Sequence, residues 1–356
     1  MRKFVCILFG ILFLIAASAA GTWATETFSV YKIPSDQSAT AAKYWTAERM
    51  QKATPRPIPK NKTNLQRSLT ETLQPADTPG YDPSYDPSRK ACQASVLTDN
   101  EAGAPSTEIL DPSIGYSYPP LHTTFFVLTS LYGTTSTPFP YKAIGKVFYT
   151  GTDGRDYVCS GSAIGGRAVL TAGHCVSNEA GSYYTNWIFV PAYRGGKEPF
   201  GKWTASSFLT FDSYHEGGNM ARDVAFAVVK KHLGGVKLSQ EVGHLGFAYN
   251  LSLVQHWSMF GYPAASPWNG QSMVDTEASY ASADASKTPN TPGIGTTQLG
   301  GCSGGPWIRY FVPGGTNEYN LANGVNSYSL EDKDYEIFAP YFDSSVKALK
   351  DEAVAQ

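Results

Sequence analysis

Between Leu299 and Trp307 the chain reads Leu-Gly-Gly-Cys-Ser-Gly-Gly-Pro-Trp, with four glycines around the single serine, Ser303. Glycine has no Cβ, so this backbone can turn sharply and approach a ligand closely. A serine in such a turn projects its hydroxyl, and the amides of Gly301 and Ser303 can point at a common spot beside it. That is the arrangement of an acyl-transfer nucleophile with an oxyanion hole. By itself the run is also what a plain turn looks like.

Two upstream stretches give it company. Ala168-Val169-Leu170-Thr171-Ala172-Gly173-His174-Cys175 is an apolar strand running into a small-residue turn that carries a histidine. Arg222-Asp223-Val224-Ala225-Phe226-Ala227-Val228-Val229 sets one carboxylate at the head of another apolar strand. The order along the chain is His174, Asp223, Ser303. The motifs Thr-Ala-Gly-His-Cys, Asp-Val-Ala and Gly-Cys-Ser-Gly-Gly-Pro resemble the three signatures of the chymotrypsin-type (trypsin-like) serine proteases. Within them the chain is most similar to the secreted glutamyl-endopeptidase-like (V8-like) branch, which shares a Gly-Tyr-Pro like Gly261-Tyr262-Pro263. The resemblance covers residues 130 to 345 or so and does not reach the first third of the chain.

The strand pattern is compatible with that resemblance. Lys142–Thr150 and Tyr157–Ile164 read as a hairpin around Asp153-Gly154. Further strands are expected at 167–171, 187–192, 223–230, 257–262 and 319–328, with turn residues between them. Many short strands and few helical stretches predict an all-β barrel or sandwich. The resemblance sharpens this to two six-stranded β-barrels of the chymotrypsin type with the site between them. Asp343 or Ser344 would cap a short C-terminal helix through Val346, Leu349 and Val354, with Lys347 and Lys350 on its polar face.

The N-terminal third reads differently. Arg2 and Lys3 precede an apolar run from Phe4 to Ala17 and small residues after it, the pattern of a signal peptide over residues 1–20, with Ala20 and Ala24 as possible cut points. The run is short for a membrane span. Residues 21–125 are rich in Pro, Ser and Thr and include a tandem Tyr-Asp-Pro-Ser at 81–88. They are expected to be poorly structured and only loosely docked. This is a prosegment or a linker that stays attached, ahead of a protease domain at 126–356. Arg89-Lys90 is a weak basic cleavage signal.

Charge excludes other classes. Only 16% of residues are charged and the formal net charge is −2, so no basic face suggests nucleic acid. The histidines His122, His215, His232, His244 and His256 form no pair with zinc spacing, and neither a metal nor a cofactor is expected. Two sequons, at Asn61 and Asn250, would accept glycans in a eukaryotic source.

Loss of Cys6 with the signal peptide leaves Cys92, Cys159, Cys175 and Cys302, an even number that allows three pairings. The resemblance implies a Cys159–Cys175 bridge holding the His174 loop. It also implies an aspartate immediately before the nucleophile, to receive a new N-terminal ammonium on activation. Cys302 stands there instead and cannot make that ion pair. A Cys92–Cys302 bridge is expected, with two free buried thiols as the alternative.

By resemblance, His174 relays the Ser303 proton, Asp223 orients the imidazole, and the amides of Gly301 and Ser303 form the oxyanion hole. Thr297 is placed at the base of the primary pocket, where it offers no carboxylate for a basic substrate residue. Gln298, Asn326 and Ser327 are placed around the same pocket as hydrogen-bonding groups. The expectation is an exported, monomeric serine endopeptidase made as a zymogen, acting on polypeptides and free of the membrane once its signal is removed. The competing reading is a protease-fold binding protein without catalysis. A wall- or surface-associated structural protein is a third, resting only on the Pro- and Tyr-rich first third.

Overall fold

The computed structural model describes residues 26–62, 78–82, 137–333 and 335–356. The signal peptide, the Arg89-Lys90 pair, Cys92 and His122 lie outside the described residues.

In chain order the strands are β1 (Phe28–Lys32), β2 (Thr54–Pro55), β3 (Lys60–Asn61), β4 (Gly80–Asp82), β5 (Ile144–Thr150), β6 (Asp156–Gly165), β7 (Ala168–Thr171), β8 (Thr185–Pro191), β9 (Trp203–Phe211), β10 (Ala225–Val229), β11 (Gly246–Tyr249), β12 (His256–Gly261), β13 (Val274–Asp284), β14 (Thr291–Gly295), β15 (Pro306–Arg309), β16 (Leu321–Val325), β17 (Ser329–Leu330) and β18 (Glu336–Phe338). The antiparallel circuit β5-β6-β7-β10-β9-β8 returns to β5 and closes the first six-stranded barrel. β5 and β10 are buried along their whole length, so β10 reads as an unbroken apolar run rather than an alternating one, whereas β5 carries Lys146 inside.

The second half follows the order β18-β14-β13-β12-β15-β16, extended by β11 and β4. The chain just past β16 closes this circuit: Ser327 N donates to Phe338 O at 3.1 Å, and Phe338 N to Tyr328 O at 2.7 Å. Two six-stranded barrels are therefore present. The pattern missed β9, β13 and β14, where Ser, Thr and Gly dilute the apolar signal, and the short strands β11, β15 and β18.

The C-terminal helix, Ser344–Ala355, is capped by Asp343, whose carboxylate accepts from Ser345 N and Val346 N. Lys350 departs from expectation. It is buried and pairs with Asp82 rather than facing water. Asn250 is also buried, donating to Thr78 O and Ser344 Oγ, so its sequon is not a surface acceptor.

Residues 26–62 are not loosely docked. β1 pairs along β9, and two helices follow at Ser35–Tyr44 and Ala47–Lys52. Trp45 and Met50 are fully buried in the first barrel's core, Trp45 against Phe148. A low overall apolar content concealed a few large anchors at the right spacing, and burying two such side chains contributes roughly 3–6 kcal/mol.

Two buried charges oppose each other in their pH dependence. Burial pushes Lys146 down to about 7, although its Nζ donates to Gly270 O at 2.7 Å. Burial, then the nearby Glu277, pushes Asp275 up to about 8 from its ordinary 3.8. A folded state that binds this carboxyl proton more tightly than the unfolded chain loses stability as pH rises from about 4 to about 8. Lys146 acts in the other sense at higher pH. Asp275→Asn should therefore melt above the parent at about pH 8.5 and lose that advantage at about pH 5. Thermal melts at both values check this, and a difference independent of pH would refute it.

Candidate active site

Register brings the histidine and the aspartate together. Thr171 at the end of β7 pairs with Ala225 at the start of β10. His174 follows in a tight helical turn, Gly173–Cys175, and Asp223 sits two residues before β10. The Asp223 carboxylate accepts from His174 Nδ1 at 2.7 Å through one oxygen and from the His174 amide at 2.7 Å through the other. Ser327 Oγ donates to the same carboxylate. Three donors on one buried carboxylate fix both its orientation and the imidazole's. Tyr214 packs on Gly173 and closes the far side, where any Cβ would strike its ring at 2.6 Å.

Ser303 arrives from the second barrel, just before β15. Its loop is gripped by the first barrel: Ser160 N donates to Ser303 O at 2.7 Å and Ser160 Oγ to Gly301 O at 2.9 Å. The same hydroxyl accepts from Tyr262 N at 2.9 Å. Ser160 was not singled out in the sequence, and nothing in its local motif marks it. Gly301 adopts φ 99°, a left-handed region that favours glycine. Among the described residues, neither the Gly301 nor the Ser303 amide has a hydrogen-bond acceptor, so both remain able to donate.

His174, Asp223 and Ser303 are all fully buried. His174 Nε2 and Ser303 Oγ are buried without a hydrogen-bond partner. Orphaned buried polar atoms are costly, roughly 1–3 kcal/mol each.

Cys159 and Cys175 are joined with Cα atoms 6.1 Å apart, a sequence separation of 16. Closing a ring of that size contributes about 3 kcal/mol in the chain-entropy account. Among the described residues Cys302 is a free, buried thiol, and Cys92, its expected partner, lies outside them. Cys302 packs with Trp257, Met259 and Trp307, and its Sγ lies 3.6 Å from Gln298 O. Burial pushes the thiol well above its ordinary range. It is neither a nucleophile nor a counter-charge for an ammonium group.

The expected pocket residues are mostly committed elsewhere. Gln298 Nε2 donates to Met259 O, Val274 O and Thr276 Oγ1. Asn326 donates to Phe260 O and Cys302 O and accepts from Trp307 Nε1. Ser327 serves Asp223. Thr297 Oγ1 and Gln298 Oε1 are the buried side-chain atoms of these four without a partner. The three committed side chains brace the framework because a buried amide or hydroxyl takes the nearest partner.

The family model for trypsin matches residues 133–343, more than half of the chain. The chain belongs to the trypsin family. This trypsin-family chain is 37% identical to the protease Anisep from Arthrobacter nicotinovorans, covering 62% of itself and 99% of that chain at a TM-score of 0.55. It is 26% identical over 208 residues to an extracellular metalloprotease of Bacillus subtilis, covering 55% of itself and 61% of that relative. It is 26% identical over 154 residues to a glutamyl endopeptidase of Bacillus licheniformis, covering 41% of itself and 45% of the relative. The chain thus spans less than two thirds of the length of these curated relatives, and the match to the second agrees with a place near the glutamyl-endopeptidase-like branch. As for metals, Cys159, His174 and Cys175 bring ligand atoms within 4.8 Å of one another. Both sulfurs are spent in the disulfide and His174 Nδ1 is held by Asp223, so this donor set does not suit a metal ion.

Proposed function

We propose that the chain is an exported serine endopeptidase that cleaves polypeptides through an acyl-enzyme at Ser303. The observation that carries this reading is the buried His174–Asp223 pair, with the free Nε2 of His174 and the free Oγ of Ser303 in a trypsin-family fold. In the reaction, Ser303 Oγ attacks the scissile carbonyl carbon and its proton passes to His174 Nε2. The oxyanion so formed is held by the Gly301 and Ser303 amides, on the chain segment fixed by Ser160. The C–N bond breaks as His174 returns the proton to the leaving amine. Water then repeats the sequence on the ester and releases the acid. Asp223 accepts the Nδ1 proton's hydrogen bond throughout and stabilises the imidazolium.

The proposed organisation is a signal peptide at 1–20, a prosegment at 21–125 and the protease domain at 126–356, working as a monomer. The proposed primary pocket is uncharged, with Thr297 Oγ1 as its polar handle. That argues against a requirement for lysine or arginine before the cut bond.

Fluorophosphonate labelling of the secreted, processed protein tests the reading, with intact mass locating the mature N-terminus. One label per chain is expected, abolished in Ser303→Ala. Processed, folded protein that stays unlabelled would favour the inactive binding-protein alternative.

A further inference from the structure

Something must cover a site whose three residues are fully buried, and the chain supplies it. From β2 to β3, residues 54–61 form a continuous strap between the two barrels' edges. Thr54 and Pro55 pair in parallel with Tyr157 and Val158 of β6, next to the Cys159 bridge. Arg56 then stands over the Tyr184 ring, its carbon 5.3 Å from the centroid, and donates to the Tyr184 hydroxyl. The Arg56 carbonyl comes so close to Gly300 that a Cβ there would lie 3.1 Å from it. Ile58 packs against the cluster containing Cys302 and Trp307, residues flanking Ser303. Finally Lys60 and Asn61 pair in parallel with β17, Ser329 N donating to Pro59 O and Glu331 N to Asn61 O, each at 3.0 Å.

We infer that residues 54–61 are a built-in inhibitor that occupies the substrate cleft of the intact chain and seals His174 and Ser303. The inference rests on the serine-endopeptidase reading for what is inhibited, and adds how the site is kept closed. Strand addition to exposed edges is a general mode of peptide recognition. Here the occupant runs parallel to both edges, so a chain adding antiparallel to the same edges would travel the other way through the cleft. The two cannot be bound together. The strap's sequence suits it to binding without exchange: Pro55, Pro57 and Pro59 set three φ angles in advance and remove three N–H donors. Less backbone entropy is lost on docking, and Pro59 and Asn61 meet β17 through their carbonyls, accepting from Ser329 N and Glu331 N. Upstream, Trp45 and Met50 anchor it in the first barrel, so that the cleft sees it at high effective concentration. Activation then requires cutting the chain beyond Asn61 or extracting the strap, not merely freeing a new N-terminus.

Two measurements on the full chain test this, with Ile58→Asp and Arg56→Ala as separate strap variants because neither side chain lies in a barrel strand. In a Ser303→Ala background, hydrogen exchange at Ser329 and Glu331 should be slow and should quicken at least tenfold in either strap variant. With Ser303 intact and the mass verified as unprocessed, fluorophosphonate labelling should likewise rise at least tenfold in the variants, towards the rate of processed protein. Equal exchange rates in parent and variants would overturn the strap. So would an intact parent that labels as fast as processed enzyme. If no form labels, the protease reading fails, and the exchange result alone still decides whether the strap fills the cleft.

Discussion

Asp223→Asn is expected to lower kcat of the processed protein about ten-thousand-fold while leaving KM within a few-fold, the scale known for this substitution in a serine triad. The reason lies in the three hydrogen bonds that the carboxylate accepts, from the His174 amide, His174 Nδ1 and Ser327 Oγ. An asparagine has one acceptor oxygen and must turn its NH₂ toward at least one of these donors. If the NH₂ faces the imidazole, Nδ1 must become the acceptor, and the proton moves to Nε2, where it can no longer take one from Ser303. If the NH₂ faces the His174 amide, the turn carrying the histidine is pushed away. Steady-state kinetics with a peptide library substrate and the labelling rate of Ser303 both report the loss. A deficit under tenfold in folded protein would show that Asp223 does not govern His174. The orientation role also predicts that Ser327→Ala, which removes one donor and repels nothing, loses far less than Asp223→Asn.

The residues of this site were legible because each motif packs its chemistry into a few adjacent positions: His174 with Cys175, Asp223 with its strand, Ser303 with its glycines. A strand followed by a tight turn is local information, and the β7–β10 pairing sets two of these local motifs side by side. The pocket was not legible in the same way. Gln298, Asn326 and Ser327 stand at expected positions, but whether a side chain serves substrate or framework depends on which carbonyls lie nearby. Those carbonyls come from β12 and β13, tens of residues distant in the chain. Cys302 is a similar case, since pairing of thiols depends on distances that spacing alone does not fix.

The N-terminal segment shows the limit of composition most plainly. Proline and polar residues dilute its average apolarity, which predicted weak docking. Yet Trp45, Met50 and Ile58 each find a pocket, and the alternating prolines stiffen the connection between them rather than loosening it. An average over a hundred residues hides three anchors. Only the edge geometry of β6 and β17 reveals that the stretch between the anchors spans the cleft.

Gly304→Ala is expected to lower Tm by about 6–12 °C, the equivalent of roughly 3 kcal/mol for a domain of this size. Gly304 adopts φ 77°, where an L side chain is already strained by about 1–2 kcal/mol. A Cβ built on it collides with the Thr171 hydroxyl and lies 2.5 Å from Ser160 O and 2.7 Å from Ala172 N. Those three groups belong to the first barrel, at the base of the His174 turn, whereas Gly304 belongs to the Ser303 loop of the second. The methyl group therefore pushes the nucleophile's loop and the histidine's turn apart at a seam they share, and Thr171 resists yielding because its hydroxyl is bonded to Ser160 O at 2.8 Å. Labelling of Ser303 should fall at least a hundredfold at temperatures where the variant is still folded. A Thr171→Ser partner substitution cannot relieve it, since the offending oxygen remains, whereas Thr171→Ala should recover part of the Tm. Recovery by Thr171→Ser, or none by Thr171→Ala, would place the strain in the backbone of the serine loop and not in the seam between the barrels.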